Sequence, residues 1–184
     1  MLWRNRSNGE TVVWFLNGME EPTARVVPIV SYSGAFQVLD FNGDGKGDLL
    51  DRNLLTGENW VWLANNDGFE GDPVVLPGLS RDLEPVLGDF NGDGRTDFFW
   101  RIEGRASELW SVNARNGLSI SAQPGIEGSW VASSGDFNGD DQSDLFWQNV
   151  FTGETAVWLL NGRELLKAEF STPVDAGQQW LVKV

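Results

Sequence analysis

The sequence predicts an all-β fold, a β-propeller of four-stranded antiparallel blades, and three observations predict it. A nine-residue acidic loop recurs at a nearly constant interval. Short apolar stretches bounded by turn residues surround every copy. A tryptophan column repeats in step with both. The loop reads Asp40-Phe41-Asn42-Gly43-Asp44-Gly45-Lys46-Gly47-Asp48, then DFNGDGRTD from Asp89 to Asp97, then DFNGDDQSD from Asp136 to Asp144, with intervals of 49 and 47 residues. Self-similarity at about 20–50 residues marks repeat architectures, and four strands per unit of about 40–50 is the propeller interval.

The elements follow in order. A first strand precedes each loop, at Ala35–Leu39, Glu84–Gly88 and Val131–Gly135, and a second follows it, at Leu49–Asn53, Phe98–Ile102 and Leu145–Asn149. A glycine turn comes next (Thr56-Gly57-Glu58, Glu103-Gly104, Thr152-Gly153-Glu154), then a third strand carrying Trp62, Trp110 or Trp158. The turns Asn66-Asp67-Gly68, Asn116-Gly117 and Asn161-Gly162 are of the kind that closes tight hairpins. A weaker fourth strand is expected near Val74–Leu76, Leu118–Ala122 and Leu166–Phe170.

The termini align with the repeat as well. Met1–Asn5 matches Leu145–Asn149, and Thr11–Gly18 (TVVWFLNG) matches Thr155–Gly162 (TAVWLLNG), placing Trp14 in the tryptophan column. Trp180–Val184 matches Trp130–Ser134. The expectation is a single domain over 1–184, with repeats at about 34–82, 83–129 and 130–176 and a split repeat of 177–184 plus 1–33. Its C-terminal strand would pair with the N-terminal strands and leave no long open edge. A monomer closing in this way has four blades; a homodimer exchanging ends is an eight-bladed ring with two-fold symmetry. A fragment of a longer array would keep its edges open.

Composition narrows the function classes. The 184 residues include ten Trp and eleven Phe, and hydrophobic residues make up 41%, which suits a folded domain rather than a disordered chain. The formal charge of -14 opposes nucleic acid and anionic membranes as partners. Ten of the 27 acidic residues sit in the three loops, and three bound divalent cations would bring the charge to -8. With no Cys and no His, disulfides, thiolate sites, Ser-His or Cys-His catalysis and the usual zinc ligands are excluded. No apolar run reaches the ~18 residues of a membrane-spanning helix. Met1-Leu2-Trp3-Arg4 opens on strand-like sequence without a basic, apolar leader, so a removed leader or an excised domain is expected.

Oxygen side chains at positions 1, 3, 5 and 9 of a glycine-bearing loop suit a hard cation. Calcium takes about 6–8 oxygens in a flexible shell, whereas magnesium demands a stricter octahedron. A helix-loop-helix calcium motif needs a bidentate Glu at position 12, and that position holds Asp51, Trp100 or Trp147 within strand-like sequence. In the metal-free alternative, Asp and Asn only build Asx turns.

The pattern DFNGDGxxD, followed by a short apolar strand, TGE and VWLxNG, resembles the FG-GAP/VCBS repeat family of integrin-alpha-like propellers. The resemblance covers essentially the whole chain. It implies that the loop joins the first two strands of a blade and binds calcium. The implied ligands are Asp40, Asn42, Asp44 and Asp48 with the Lys46 carbonyl; Asp89, Asn91, Asp93 and Asp97 with the Arg95 carbonyl; and Asp136, Asn138, Asp140 and Asp144 with the Gln142 carbonyl. Three departures stand out. Asp141 replaces the glycine seen at Gly45 and Gly94, Asp51 replaces the tryptophan of Trp3, Trp100 and Trp147, and a fourth loop is absent.

The tryptophan columns Trp14/Trp62/Trp110/Trp158 and Trp3/Trp100/Trp147 are expected to pack in the core, paired across the second and third strands. Trp60, Trp130 and Trp180 are better candidates for exposure. Asn5-Arg6-Ser7 fits a glycosylation acceptor. The loop carboxylates recur in three repeats rather than once, which speaks against glycoside hydrolysis, and the chain is expected not to be an enzyme. The expected role is an extracellular or cell-surface binding or adhesion module with structural calcium and a protein or glycan ligand. The alternatives are a carbohydrate-binding propeller lectin and a purely architectural or engineered repeat domain without a ligand beyond calcium.

Overall fold

A computed structural model of the chain describes residues 2–5, 7, 10–15, 21, 23–27, 34–66, 68–69, 71–102 and 106–171. Among these residues there is no helix, and the strands form antiparallel sheets. The chain divides into two compact units, Met1–Leu39 with Lys46–Asp82 and Asp40–Gly45 with Leu83–Val184.

The first unit holds two larger sheets and a small hairpin. Strands β1 (Leu2–Arg4), β2 (Thr11–Phe15) and β3 (Thr23–Val27) make a three-stranded sheet in that order. Strands β4 (Gly34–Leu39), β5 (Asp48–Asn53) and β6 (Asn59–Trp62) pair in sequence, and β9 (Val74–Leu76) lies beside β6. Between them β7 (Ala64–Asn65) and β8 (Gly68–Phe69) form an extra hairpin, which the repeat pattern does not predict. The sheets meet through Val27, Leu49 and Trp62, flanked by Val13, Phe36 and Phe69. Arg4 Nη1 donates to the Gly34 carbonyl at 2.8 Å, and its guanidinium lies 5.0 Å from the Phe36 ring centroid.

The second unit stacks two four-stranded sheets. One runs β10 (Pro85–Gly88), β11 (Asp97–Trp100), β12 (Ser107–Val112), β13 (Leu118–Gln123); the other runs β14 (Trp130–Gly135), β15 (Asp144–Asn149), β16 (Thr155–Asn161), β17 (Glu164–Ser171). Their interface is a core of Phe90, Phe99, Leu109, Ile126, Leu145, Trp147, Trp158 and Leu160. Phe99 presents its edge to Trp147 and Trp158 at centroid distances of 5.7 and 6.4 Å, an arrangement favoured by the ring quadrupoles.

Burial explains the order of strands. β5 and β11 are buried nearly throughout; β11 is apolar after its opening aspartate, whereas β5 buries Asp48, Asp51 and Arg52 beside Leu49 and Leu50. β17 is exposed along almost its whole length, as an outer edge strand, which accounts for its polar and weakly patterned sequence.

The tryptophan pairing recurs. Trp100 with Trp110, Trp147 with Trp158 and Trp3 with Trp14 have centroid separations of 5.2, 5.0 and 5.6 Å and interplanar angles of 56°, 56° and 54°. Each pair is diagonal: Trp100 sits opposite Glu108, Trp147 opposite Ala156 and Trp3 opposite Val12. The core assignment needs correcting for one pair. Trp62, Trp100, Trp110, Trp147 and Trp158 are buried, but Trp3 and Trp14 are 52% and 37% exposed. Trp130 is also corrected, since it is buried, with Nε1 donating to the Glu127 carbonyl and Phe170 at its edge. Trp60 is half-buried. Trp180 and the closing strand expected at 180–184 lie outside the described residues.

Candidate metal-binding loops

Each acidic loop joins the first and second strands of its sheet, between β4 and β5, β10 and β11, and β14 and β15. The turn is built by its own side chains. Asp89 Oδ1 accepts from Asp93 N–H at 3.1 Å and Oδ2 from Gly94 N–H at 2.8 Å, while Asn91 Oδ1 accepts from Asp93 N–H at 2.9 Å. In the first loop the Asp40 carboxylate accepts from the amides of Gly43, Asp44 and Gly45 at 2.8, 3.1 and 2.8 Å. In the third, Asp136 accepts from Gly139, Asp140 and Asp141 at 2.6, 3.2 and 3.0 Å. These are the Asx turns that the composition allows. The sixth position is left-handed in all three, with φ of 80° at Gly45, 81° at Gly94 and 64° at Asp141. The aspartate adopts the conformation for which the other loops use glycine.

The ninth position carries a role that the sequence reading missed. Asp48, Asp97 and Asp144 are fully buried, and each Oδ1 accepts a backbone amide from the end of the third strand or just beyond it: Ala64 at 2.7 Å, Val112 at 2.8 Å and Leu160 at 2.9 Å. In each case the donor lies two residues beyond the column tryptophan, at Trp62, Trp110 and Trp158. That fixed offset was the available signal.

The second oxygen distinguishes two loops. Asp144 Oδ2 accepts from Phe137 N–H at 3.0 Å, so its carboxylate is satisfied on both sides. Asp97 Oδ2 is buried and closes no hydrogen bond of good geometry, although the Phe90 amide is among the groups that draw its pKa down. Burial, reinforced by the charges of Asp93 and Asp89, raises the Asp97 pKa to about 7. The exposed Asp136 is held below the usual carboxylate range, chiefly by the Gly139 amide.

Asp89 and Asp93 add negative charge near the buried Asp97 carboxylate, and Asp89, Asn91, Asp93 and Asp97 are the residues that would hold a hard cation in this loop. The third loop fits less well. Besides the closed Asp144 carboxylate, Asn138 Nδ2 donates to Asp140 Oδ2 at 2.9 Å, tying up a further ligand oxygen. Of the first loop, Asp40, Asn42 and Asp44 belong to the second unit, and half-buried Lys46 and buried Asp48 to the first. Among the described residues no three Asp or Glu carboxylates form a ready-made metal cluster, which is consistent with carboxylates folded back onto their own amides.

A family model described as an FG-GAP-like repeat matches residues 40–100, a span that takes in the first two loops and β5 to β11. A search of curated proteins finds no match.

Proposed function

Starting from the FG-GAP-like repeat matched at residues 40–100, we propose that the chain is a propeller-type module whose acidic loops bind calcium as a structural ion, and which serves binding or adhesion outside the cytoplasm. The observation that carries the calcium reading is the Asp97 carboxylate, fully buried with one oxygen lacking a hydrogen bond. Burying an uncompensated charge is costly, and a cation at Asp89, Asn91, Asp93 and Asp97 would offset that cost. The ion would tie the start of β11 to its loop while Oδ1 of Asp97 holds β12. The site that this describes is a staple rather than a reaction centre, and the module acts by presenting a surface.

Calcium is plentiful outside the cell, so an ion-dependent fold suits that compartment. The ligand is a protein or a glycan. The glycan reading, a lectin, is favoured by the exposed Trp3–Trp14 pair, because flat aromatic faces stack on sugar rings. A glycan array in calcium separates the two, and silence towards every sugar removes the lectin. The calcium reading is tested by melting the chain with calcium and with chelator. An increase of about 2–3 kcal/mol in stability is expected at calcium near 100 times Kd; equal melting temperatures would overturn it.

A further inference from the structure

The contact between the two sheets of the second unit has a defined pair on each side. Phe90 and Phe99, with ring centroids 6.4 Å apart, come from the β10–β13 sheet and its loop, and Phe99 meets Trp147 and Trp158 edge-on. All four rings are buried. Both pairs recur in exposed settings. The phenylalanine pair returns 47 residues on as Phe137 and Phe146, 6.1 Å apart, and strand alternation puts Phe146 on the face of the β14–β17 sheet opposite to Trp147. Phe137 is 45% exposed, and Phe146 and its cross-strand neighbour Val157 are only half-buried. The tryptophan pair returns in the first unit as the exposed Trp3 and Trp14. Alternation and register place Trp3, Val12, Trp14, Ala24 and Val26 on one face of the β1–β3 sheet, while Val13 and Val27 pack on Leu49 and Trp62 from the other. The outward face is therefore apolar along all three strands, with the indole N–H groups as its side-chain donors.

We infer that the Trp3–Trp14 face binds a second copy of this chain, receiving that copy's Phe137–Phe146 face as Trp147 and Trp158 receive Phe90 and Phe99. Three observations carry it. The residue types match the buried contact on both sides, Trp with Trp and Phe with Phe. The ring spacings within each pair are preserved, at 5.6 Å against 5.0 Å for the tryptophans and 6.1 Å against 6.4 Å for the phenylalanines. Both faces are exposed in the single chain, so the cover comes from another molecule. A sugar is a poorer occupant, because a glycan site needs several hydrogen-bonding groups beside its aromatic platform and this face offers few. The two surfaces differ, which makes the contact heterologous; two copies that exchange it twice close with two-fold symmetry and leave neither face in water. The contact requires no calcium.

Sedimentation equilibrium of the full chain should give twice its mass of 20.4 kDa. Trp14→Lys and Phe137→Lys should each return the mass to that of one chain, with the strand signal in far-ultraviolet circular dichroism retained. Mixing the two variants should restore a pair, because one keeps the phenylalanine face and the other the tryptophan face; held by one contact instead of two, it should be weaker than the parent pair. A parent chain that sediments as one copy overturns the inference and leaves Trp3 and Trp14 to the glycan reading. A doubled mass that either variant leaves unchanged overturns it too, as does a mixture that stays at the mass of one chain at every concentration. If a lysine unfolds its sheet, dilution of the parent decides. Dissociation should then move tryptophan emission to longer wavelength as Trp3 and Trp14 meet water, and dissociation without that shift overturns the inference.

Discussion

The loops 89–97 and 136–144 share a sequence pattern and a hydrogen-bonded turn, yet they resolve the same electrostatic problem differently. Both bury a ninth-position aspartate whose Oδ1 holds the third strand, through Val112 in one and Leu160 in the other. In the later loop Phe137 N–H satisfies the remaining oxygen, and Asn138 caps Asp140. In the earlier loop Asp97 Oδ2 is left buried and open, with Asp93 and Asp89 adding repulsion. The comparison teaches that a shared motif does not imply equal cation demand. What matters is how much carboxylate charge the protein's own amides leave uncompensated.

The largest effect separates structure from ion binding. Asp144→Ala leaves the buried Leu160 amide and the part-buried Phe137 amide without acceptors; an orphaned buried donor costs about 1–3 kcal/mol, and the part-buried one less. Urea unfolding in chelator should show that loss in full, and added calcium should change it little. Asp97→Ala removes the acceptor of the Val112 amide and the weaker contact of the Phe90 amide, but also relieves a buried charge, so its loss in chelator should be smaller, and it should erase most of the calcium-dependent stabilisation. Equal responses to calcium in the two variants would erase the distinction between the loops.

A smaller effect comes from the exposed ligands. Asp93→Asn should remove most of the calcium-induced rise in melting temperature, whereas Asp140→Asn should remove a lesser share. Calorimetric titration supplies the matching count of ions lost.

The pH dependence is the subtlest consequence. Because the folded pKa of Asp97 lies near 7, above its unfolded value, the folded state favours the protonated form. In chelator the stability from this group is present below about pH 4 and is lost as pH rises towards about 7. Calcium, by holding the carboxylate ionised, should flatten that window, and Asp97→Asn should abolish it. Chemical denaturation across pH 4–7.5, with and without calcium, measures the difference.

Much of the architecture was legible because the loop and its flanking strands repeat. Aligning three copies places β4, β10 and β14 before the loops and β5, β11 and β15 after them, and the tryptophan pairs follow from the shared register. What was not legible depended on single contacts. The β7–β8 hairpin arises where the first repeat has extra residues between its third and fourth strands, so the other copies gave no template for it. Position 9 looked like one more cation ligand; its bond to the third strand links residues 15 or 16 apart and shows only once the sheet is folded. The exposure of Trp3 and Trp14 depends on what covers a sheet face, which periodicity within that sheet does not report. Nor do the loop sequences reveal that the Thr96 and Ser143 amides donate to the Asp40 and Asp89 carbonyls of the loop before their own, because a linear motif has no neighbour.

The central claim is that the 89–97 loop is a calcium site held open by Asp97. A calcium titration of the parent chain, followed at the amides of Gly94 and Asp141, tests it most directly. The account predicts that Gly94 shifts in the Asp89–Asp97 loop at lower calcium than Asp141, and that Asp97→Asn moves the Gly94 midpoint to higher calcium. A Gly94 amide that does not respond, or one that titrates together with Asp141, would contradict it.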